Sequence, residues 1–438
     1  MLVSFTGSVI ESTSIQTVKN FRRAEGEHAM ECVFAEYQKE LLEQYEIFAL
    51  EAGYETDEYQ KKLLDQRLEF YGLENFNTSI ERLQFLSDDS GRAFFEQAVE
   101  YMKHKYGMDF IGNKLEMVGK WKENDEVLKD YQKEEEQNKI SLDNLLAENE
   151  MELPEEDNPI SYVNLLKDTP VLKLVMPEGN PVSGKRVQLT ELPSHRKCNT
   201  GKGDFSDKAD RNGTVNKLLF GEYLLEQFNC AVGEEGGVLE YEIEYMIAGK
   251  ENDRENLQSV VNRLLMLRFA SNYAYLQTSS SKRAEAQMLA VTLSSLLSVP
   301  AITEAVTQGI LFSWAFGESV VDIRSLLDGG KVPFIKNNDS WQLSISGLLK
   351  LGELENINDG SDCKDGHEYK EYLRILLFLE NQEEISMRAL DLVEQNLQNI
   401  HGLELFCVDN CITKLEMEIE CALRRNISYT FPVGFGYL

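Results

Sequence analysis

The sequence predicts an α+β protein, in which a long N-terminal helix and a helical region precede a mostly antiparallel sheet packed with buried helices. Two observations carry this prediction. In the N-terminal part of the chain, apolar residues recur at steps of three and four, which is typical of amphipathic helices. Two later segments alternate apolar residues with glutamate, which is typical of strands with one buried and one solvated face.

The chain opens with a short apolar segment, MLVSFTGSVI, and its first charged residue is Glu11. About 20 apolar residues are needed to span a bilayer as a helix, so this segment is too short to do so. No signal-peptide cleavage pattern follows it. We therefore expect a membrane anchor upstream, missing from this chain, and an extracytoplasmic protein held at the cell membrane.

A membrane-proximal stalk helix is predicted over residues 11–50. Its apolar side chains form a stripe along one face, and we expect either a partner helix in the cell envelope or the protein's own body to cover it. The candidate partner-binding residues are five members of this stripe, Val33, Phe34, Tyr37, Leu41 and Tyr45.

Changes in composition divide the chain into three regions. Residues 1–119 form the N-terminal helical region, with further helices predicted over 57–71, 79–86 and 91–106. Residues 120–159 are strongly charged and read as a linker. Residues 160–438 form a mixed α+β domain.

The strands of the mixed domain are predicted from alternation. LEYEIEYMI, Leu239 to Ile247, places Glu240, Glu242 and Glu244 on one face, and KLEMEIECAL does the same near the C-terminus, with Glu416, Glu418 and Glu420. Shorter strands are predicted over 171–176 and 186–189. Helices are expected between these strands over 255–276, 281–298, 301–327, 369–379 and 384–400, with Trp314 and Phe316 in their core.

Composition excludes several classes of partner. Forty-four basic and 75 acidic residues give a net charge of −31, which repels phosphate backbones and anionic membrane surfaces, so no nucleic acid is expected as a partner. The seven cysteines are scattered and include no CxxC pair, so they predict neither a zinc site nor a disulfide framework.

Two loops match ligand-binding motifs in part. GNPVSGK, Gly179 to Lys185, fits a phosphate-binding loop, but Arg186 replaces the magnesium-binding hydroxyl and a strand pattern follows, so no nucleotide is expected. DKADRNG, Asp207 to Gly213, has the composition of a calcium loop without its spacing, and both calcium binding and a solvated turn stay open. No catalytic, cofactor-binding or metal-binding residues are predicted.

Several longer segments resemble an uncharacterised bacterial envelope family, domain of unknown function 5702. They are Glu11 to Leu50, LEYEIEYMIAGKENDRENLQSVVNRLLMLRFASNYAYL, SWAFGESVVDIRSLLDGGKVPFIKNNDSWQLS, FCVDNCITKLEMEIEC and YTFPVGFGYL. The resemblance implies a Gram-positive setting, often beside components of Tad-type pilus assembly, and no assigned catalysis. It implies other envelope or pilus proteins as partners.

The sequence and the resemblance leave two functional hypotheses open. The first is a non-catalytic, membrane-tethered structural or assembly component of an envelope appendage. The second is an ectodomain that acts as an enzyme or binds a ligand through a dispersed site, for which a deep pocket with converging titratable groups is the expected sign.

Overall fold

The structure is a computed structural model of the 438-residue chain. It describes residues 2–54, 56, 58–74, 76–106, 133, 137, 140, 144, 147, 158–177, 181–205, 209–233, 236–296, 302–351, 363, 366–422 and 428–437. Most of the predicted 120–159 linker lies outside these residues.

Two units divide the chain, and each is described separately. Unit 1 combines residues 1–111, 187–228 and 380–438, and unit 2 combines residues 112–186 and 229–379. Each unit is therefore built from segments that are distant in sequence, whereas the regions predicted above are consecutive.

The sheet lies in unit 1, where its four strands are antiparallel. The strands are β1 (Leu50–Glu51), β2 (Phe76–Phe85), β3 (Cys411–Ala422) and β4 (Ser428–Gly436). β3 pairs with β2 and with β4, and its first two residues pair with β1. The predicted α+β class and antiparallel pairing are confirmed.

Alternation along β3 explains why this strand was predicted correctly. Leu415, Met417 and Ile419 are buried, while Glu418 and Glu420 are exposed between them. Arg82 on β2 makes a two-bonded ion pair with Glu416, at 2.7 and 2.5 Å. The predicted charged face of this strand is thus solvated and partly ion-paired.

Six α-helices complete unit 1 over its described residues. They are α1 (Leu2–Phe34), α2 (Lys39–Tyr45), α3 (Lys61–Phe70), α4 (88–106), α7 (Thr214–Gln227) and α14 (Gln382–Asn399). The C-terminal part of α1 packs on the apolar face of the sheet. It approaches so closely that a Cβ atom on Gly26 would lie 2.9 Å from the Phe431 ring, so glycine is needed there.

The stalk helix predicted over 11–50 is corrected. α1 ends at Phe34, and the chain turns before α2 begins at Lys39. In this turn the Gln38 N–H donates to the Ala49 carbonyl at 2.9 Å. The helix predicted over 79–86 is also wrong, because residues 79–85 belong to β2. The pairing of β2 with β3 is long-range and cannot be read from local periodicity.

Unit 2 is helical in its described part. Its helices are α5 (Pro159–Lys167), α6 (Val171–Val175), α8 (Glu242–Ala248), α9 (Asp253–Thr278), α10 (Ser280–Leu296), α11 (Thr303–Leu327), α12 (Ile345–Leu348) and α13 (Tyr369–Leu379). α11 is buried along most of its length, with Trp314 and Phe316 in the core as predicted.

Three predicted strands of the mixed domain are wrong. Residues 171–176 fall on α6, and residues 239–247 lead into α8. Residues 186–189 contain an isolated bridge at Arg186 and the first residue of a 3-10 helix, Leu189. α8 has no wet face. The Glu242 and Glu244 carboxylates are buried and accept the N–H groups of Asn229 and Ala231, both at 2.9 Å. Local alternation cannot distinguish a solvated glutamate from one that holds a loop.

Candidate functional site

The predicted partner-binding stripe lies in unit 1 and is mostly internal. Val33, Phe34, Leu41 and Tyr45 are buried, and only Tyr37 remains 38% exposed. The Phe34 ring lies 4.7 Å from the Phe435 ring, between centroids.

Hydrogen bonds also hold the end of the stripe inside unit 1. The Tyr45 hydroxyl accepts a hydrogen bond from the Asn396 side chain at 3.1 Å, and the Tyr45 carbonyl accepts one from the Tyr223 hydroxyl at 2.5 Å. Of the two coverings expected for this stripe, the protein's own body therefore supplies the one seen at four of the five residues. The assignment of these residues to partner binding stays a prediction.

The exposed apolar surface of α1 lies earlier, in its N-terminal half. Phe5, Val9, Ile10 and Phe21 are 68%, 48%, 69% and 62% exposed. The Lys19 ammonium lies 4.7 Å from the centroid of the Tyr429 ring, so the helix reaches the sheet at about this position. The first four turns of α1 leave large apolar side chains uncovered by the described part of the chain.

Hydroxyl groups on this half of α1 are turned back to the helix. Thr13 Oγ1 donates to the Val9 carbonyl at 2.8 Å, and Thr17 Oγ1 donates to the Thr13 carbonyl at 2.9 Å. Threonines bonded in this way satisfy their hydroxyls within the helix. This half of α1 is therefore less polar than its threonine content suggests.

Within the described residues, no helix is both long enough and apolar enough to cross a bilayer.

A cluster of four buried charges lies in unit 2, and sequence reasoning missed it. Arg268 on α9 donates to Asp322 on α11 at 2.9 Å, and Lys336 lies 2.6 Å from Glu318 and 2.7 Å from Asp322. All four side chains are fully buried. The signal for this buried charge cluster was present, because Glu318 and Asp322 stand four residues apart in a largely apolar stretch of α11 and so share a face.

The buried charge cluster fixes the chain that follows α11. Glu318 accepts the backbone N–H groups of Gln342 and Leu343 at 3.0 and 2.7 Å. The Trp314 indole donates to the Leu343 carbonyl at 2.8 Å. These contacts give Trp314 and Glu318 of the SWAFGESVVDIR segment a structural role.

A second set of acidic and thiol groups lies in unit 1 with metal-like spacing. Glu394, Cys407 and Asp409 each place a possible ligand atom within 4.8 Å of the others. Arg196 already binds both carboxylates, at 2.8 Å to Glu394 and 2.5 Å to Asp409, and we call these residues the Arg196 cluster. Burial raises the pKa of the Cys407 thiol to about 12. This arrangement is a buried ion pair.

The two loops singled out in the sequence form internal contacts. Within the partial phosphate-loop match, the Ser183 N–H donates to the Tyr241 hydroxyl at 3.0 Å and the Lys185 N–H donates to Ser183 Oγ at 3.2 Å, so both amides are already used. Asp207, in the partial calcium-loop match, lies outside the described residues. Asp210 accepts the Asn212 N–H at 2.9 Å, as in a turn.

A cavity of about 550 Å³ lies in unit 2. Its wall combines the end of α6, the loop that carries Ser183, the loop after Asn229, the residues just before α8 and the end of α11. The lining residues are Met176, Pro181, Val182, Ser183, Cys230, Ala231, Val232, Gly233, Glu240, Tyr241, Leu327, Asp328 and Gly329.

Most polar side chains of this wall are already partnered. Ser183 Oγ donates to the buried Asp253 carboxylate at 2.5 Å, and the Cys230 thiol donates to the Val232 carbonyl at 3.2 Å. Glu240 differs, because its Oε1 pairs with Lys185 while its buried Oε2 has no hydrogen-bond partner among the described residues. A buried polar atom without a partner costs about 1–3 kcal/mol.

Behind this wall lies a titratable group that sequence reasoning placed in solvent. Glu244 is fully buried, and burial raises its pKa to about 7 although Ala231 N–H and the Tyr369 hydroxyl both donate to its Oε1. The Tyr369 hydroxyl lies 2.8 Å away. Near neutral pH this carboxyl group is therefore partly protonated.

The fold is that of an α+β protein, with exposed apolar side chains on α1 in unit 1 and a cavity in unit 2. A family model described as "Family of unknown function (DUF5702)" matches residues 149–423. The chain belongs to this family, and the match includes α5 to α14 and β3 but leaves α1 outside. No curated protein and no solved structure matches the chain.

Proposed function

We propose that this protein is a non-catalytic, extracytoplasmic structural or assembly component of a bacterial envelope appendage of the Tad or Flp pilus kind, tethered to the membrane at the N-terminal end of α1. Other envelope or pilus proteins are its proposed partners, in a Gram-positive cell. The exposed apolar half of α1 carries the tethering part of this proposal. The appendage itself is proposed from the resemblance of the sequence to the family.

The proposed contact of this half of α1 is with the hydrocarbon of a bilayer. No charged residue precedes Glu11, and Phe5, Val9 and Ile10 are exposed. The net charge of −31 disfavours adsorption of the rest of the protein to anionic lipid headgroups. Contact through the helix end alone is the arrangement that agrees with both features.

Vesicle flotation tests this contact. We expect the 438-residue chain to float with neutral phosphatidylcholine vesicles, and F5S/I10S to reduce the bound fraction at least tenfold. Burying two such side chains is worth about 1.5–3 kcal/mol each, and about 1.4 kcal/mol is a factor of ten.

A matched control separates this contact from general stickiness. Phe70 and Ile335 are 73% and 70% exposed, close to the 68% and 69% of Phe5 and Ile10, but they lie outside α1. F70S/I335S should float as the unchanged chain does. Equal losses in the two double variants, or flotation unaffected by either, would remove the support for tethering through α1.

Partner capture in cells tests the assembly role. A photoreactive residue at Thr13, on the exposed half of α1, should cross-link to envelope components in the native host, whereas the same group at Met288, which is exposed on α10, should not. Cross-links to cytosolic proteins alone from Thr13 would contradict the proposed location.

A further inference from the structure

His28 and Cys32 bring two kinds of metal-ligand group, an imidazole and a thiol, together on the surface of α1. They stand four residues apart on this helix, so they are neighbours on one face. The Cys32 sulfur lies 3.8 Å from His28 Nδ1 and 3.7 Å from His28 Nε2. His28 is exposed and Cys32 is partly exposed, so an ion from solvent reaches the pair without a change in the fold.

The distance between the two side chains fits a metal chelate. Zinc bonds to sulfur at about 2.3 Å and to histidine nitrogen at about 2.0–2.1 Å, so a tetrahedral ion holds these two ligands about 3.6 Å apart. The 3.7 Å between Cys32 Sγ and His28 Nε2 agrees with this value. Without a metal, the contact depends on the weak S–H donor, so little interaction energy opposes its replacement.

The charges beside the pair attract a cation. Glu31 is exposed and stands three residues after His28, so its carboxylate is a neighbour on the helix surface. Arg23, on the preceding turns, is paired with Glu27 at 2.9 Å. The net charge of −31 raises the local concentration of divalent cations around the protein.

The pair also differs from the Arg196 cluster, whose ligand atoms have similar spacing. There a guanidinium already binds both carboxylates, so the place of the cation is taken by the protein itself. On α1 the two ligands contact each other instead. A thiolate and an imidazole prefer zinc and related transition ions, whereas calcium and magnesium prefer oxygen ligands.

We propose that His28 and Cys32 bind one zinc ion as a two-residue chelate on α1, with solvent completing its coordination. The Cys32 thiol releases its proton to solvent as the Zn–S bond forms, and neutral His28 supplies a nitrogen lone pair, so no oxidant or reductant takes part. The inference goes beyond the tethering role and does not depend on it, because neither residue belongs to the exposed apolar surface of α1.

Cobalt substitution tests the thiolate ligand. Co²⁺ bound to a thiolate absorbs in the near ultraviolet through charge transfer from sulfur, so the full chain, kept reduced, should show this band, saturate at one cobalt per chain and lose the band when Zn²⁺ is added. C32S should abolish the band, whereas C198S, at another partly exposed cysteine, should keep it. A band that persists in C32S would overturn the proposal.

Zinc affinity tests the imidazole ligand. Loss of an outer-shell partner alone costs about 10–100-fold in metal affinity, so H28A should weaken zinc binding by at least about tenfold in competition with a chromophoric chelator. H104A, at an exposed histidine beside Glu100, should leave the affinity unchanged. His28 is exposed, so H28A should keep the circular-dichroism spectrum of the unchanged chain. Unchanged affinity in H28A, or equal losses in H28A and H104A, would overturn the chelate.

Discussion

Replacing Lys336 by methionine removes one of the two cations from the buried charge cluster of unit 2. The cluster contains two carboxylates and two cations, so its net charge changes from zero to −1 in a place without exposed side-chain surface. Breaking a buried pair by removing one partner costs about 3–5 kcal/mol, because the charge left behind is uncompensated. We expect K336M to lower the free energy of unfolding of unit 2 by this amount at pH 7.

The loss of unfolding free energy in K336M should depend on pH. Burial raises the pKa of Glu318 even with Lys336 beside it, and the loss of Lys336 raises that pKa further. A carboxyl group with a raised folded-state pKa contributes its full stability below its unfolded pKa, and this contribution is lost as pH rises through the folded pKa. The deficit of K336M should therefore shrink as pH falls from 7 toward 5.

Tryptophan fluorescence during urea unfolding is the appropriate assay. Trp314 and Trp341 lie in unit 2, and both indoles donate to the Leu343 carbonyl beside the cluster, at 2.8 and 2.7 Å. As a control, K331M removes a lysine from an exposed ion pair with Glu368, a type worth about 0–1 kcal/mol.

A double variant tests the electrostatic reasoning itself. E318Q/K336M restores a net charge of zero, and the glutamine oxygen can still accept the N–H groups that Glu318 accepts. We expect the double variant to recover more than half of the stability that K336M loses. A K336M loss below about 1 kcal/mol, or a double variant less stable than K336M alone, would refute the account of this cluster.

Three further predictions concern packing, a buried ion pair and a titrating group. G26A should lower the free energy of unfolding of unit 1 by about 1–3 kcal/mol, because the added Cβ overpacks the contact with the sheet. G7A, where an added Cβ meets nothing within 4 Å, should raise this free energy by up to about 1 kcal/mol. Equal unfolding curves of the two variants by circular dichroism would contradict this. R196M leaves the carboxylates of the Arg196 cluster without their cation and should cost about 3–5 kcal/mol. R23M, at the exposed pair of Arg23 with Glu27 on α1, should cost under about 1 kcal/mol in the same measurement. Because the folded-state pKa of Glu244 is about 7, its contribution to stability should fall by about 3 kcal/mol as pH rises from 4.5 to 8. E244Q should flatten this part of the pH profile of the unfolding free energy, measured by tryptophan fluorescence. An unchanged profile would show that Glu244 does not titrate in this range.

The sequence by itself determined the α+β class and which face of the longest strand is buried. In β3 the apolar residues face α1 and the glutamates face water, so burial and period-two alternation agree. The same holds for α11, whose apolar length could only be buried.

Tertiary structure decided the rest, because each decision depended on groups distant in sequence. Glu242 and Glu244 alternate with apolar residues as in a strand, but the loop after α7 supplies N–H donors that allow both to be buried on a helix. The turn after Phe34 divides the predicted stalk helix and folds its apolar stripe into unit 1. Periodicity indicates which side chains avoid water. Which part of the structure covers those side chains depends on long-range contacts, and no local pattern contains these.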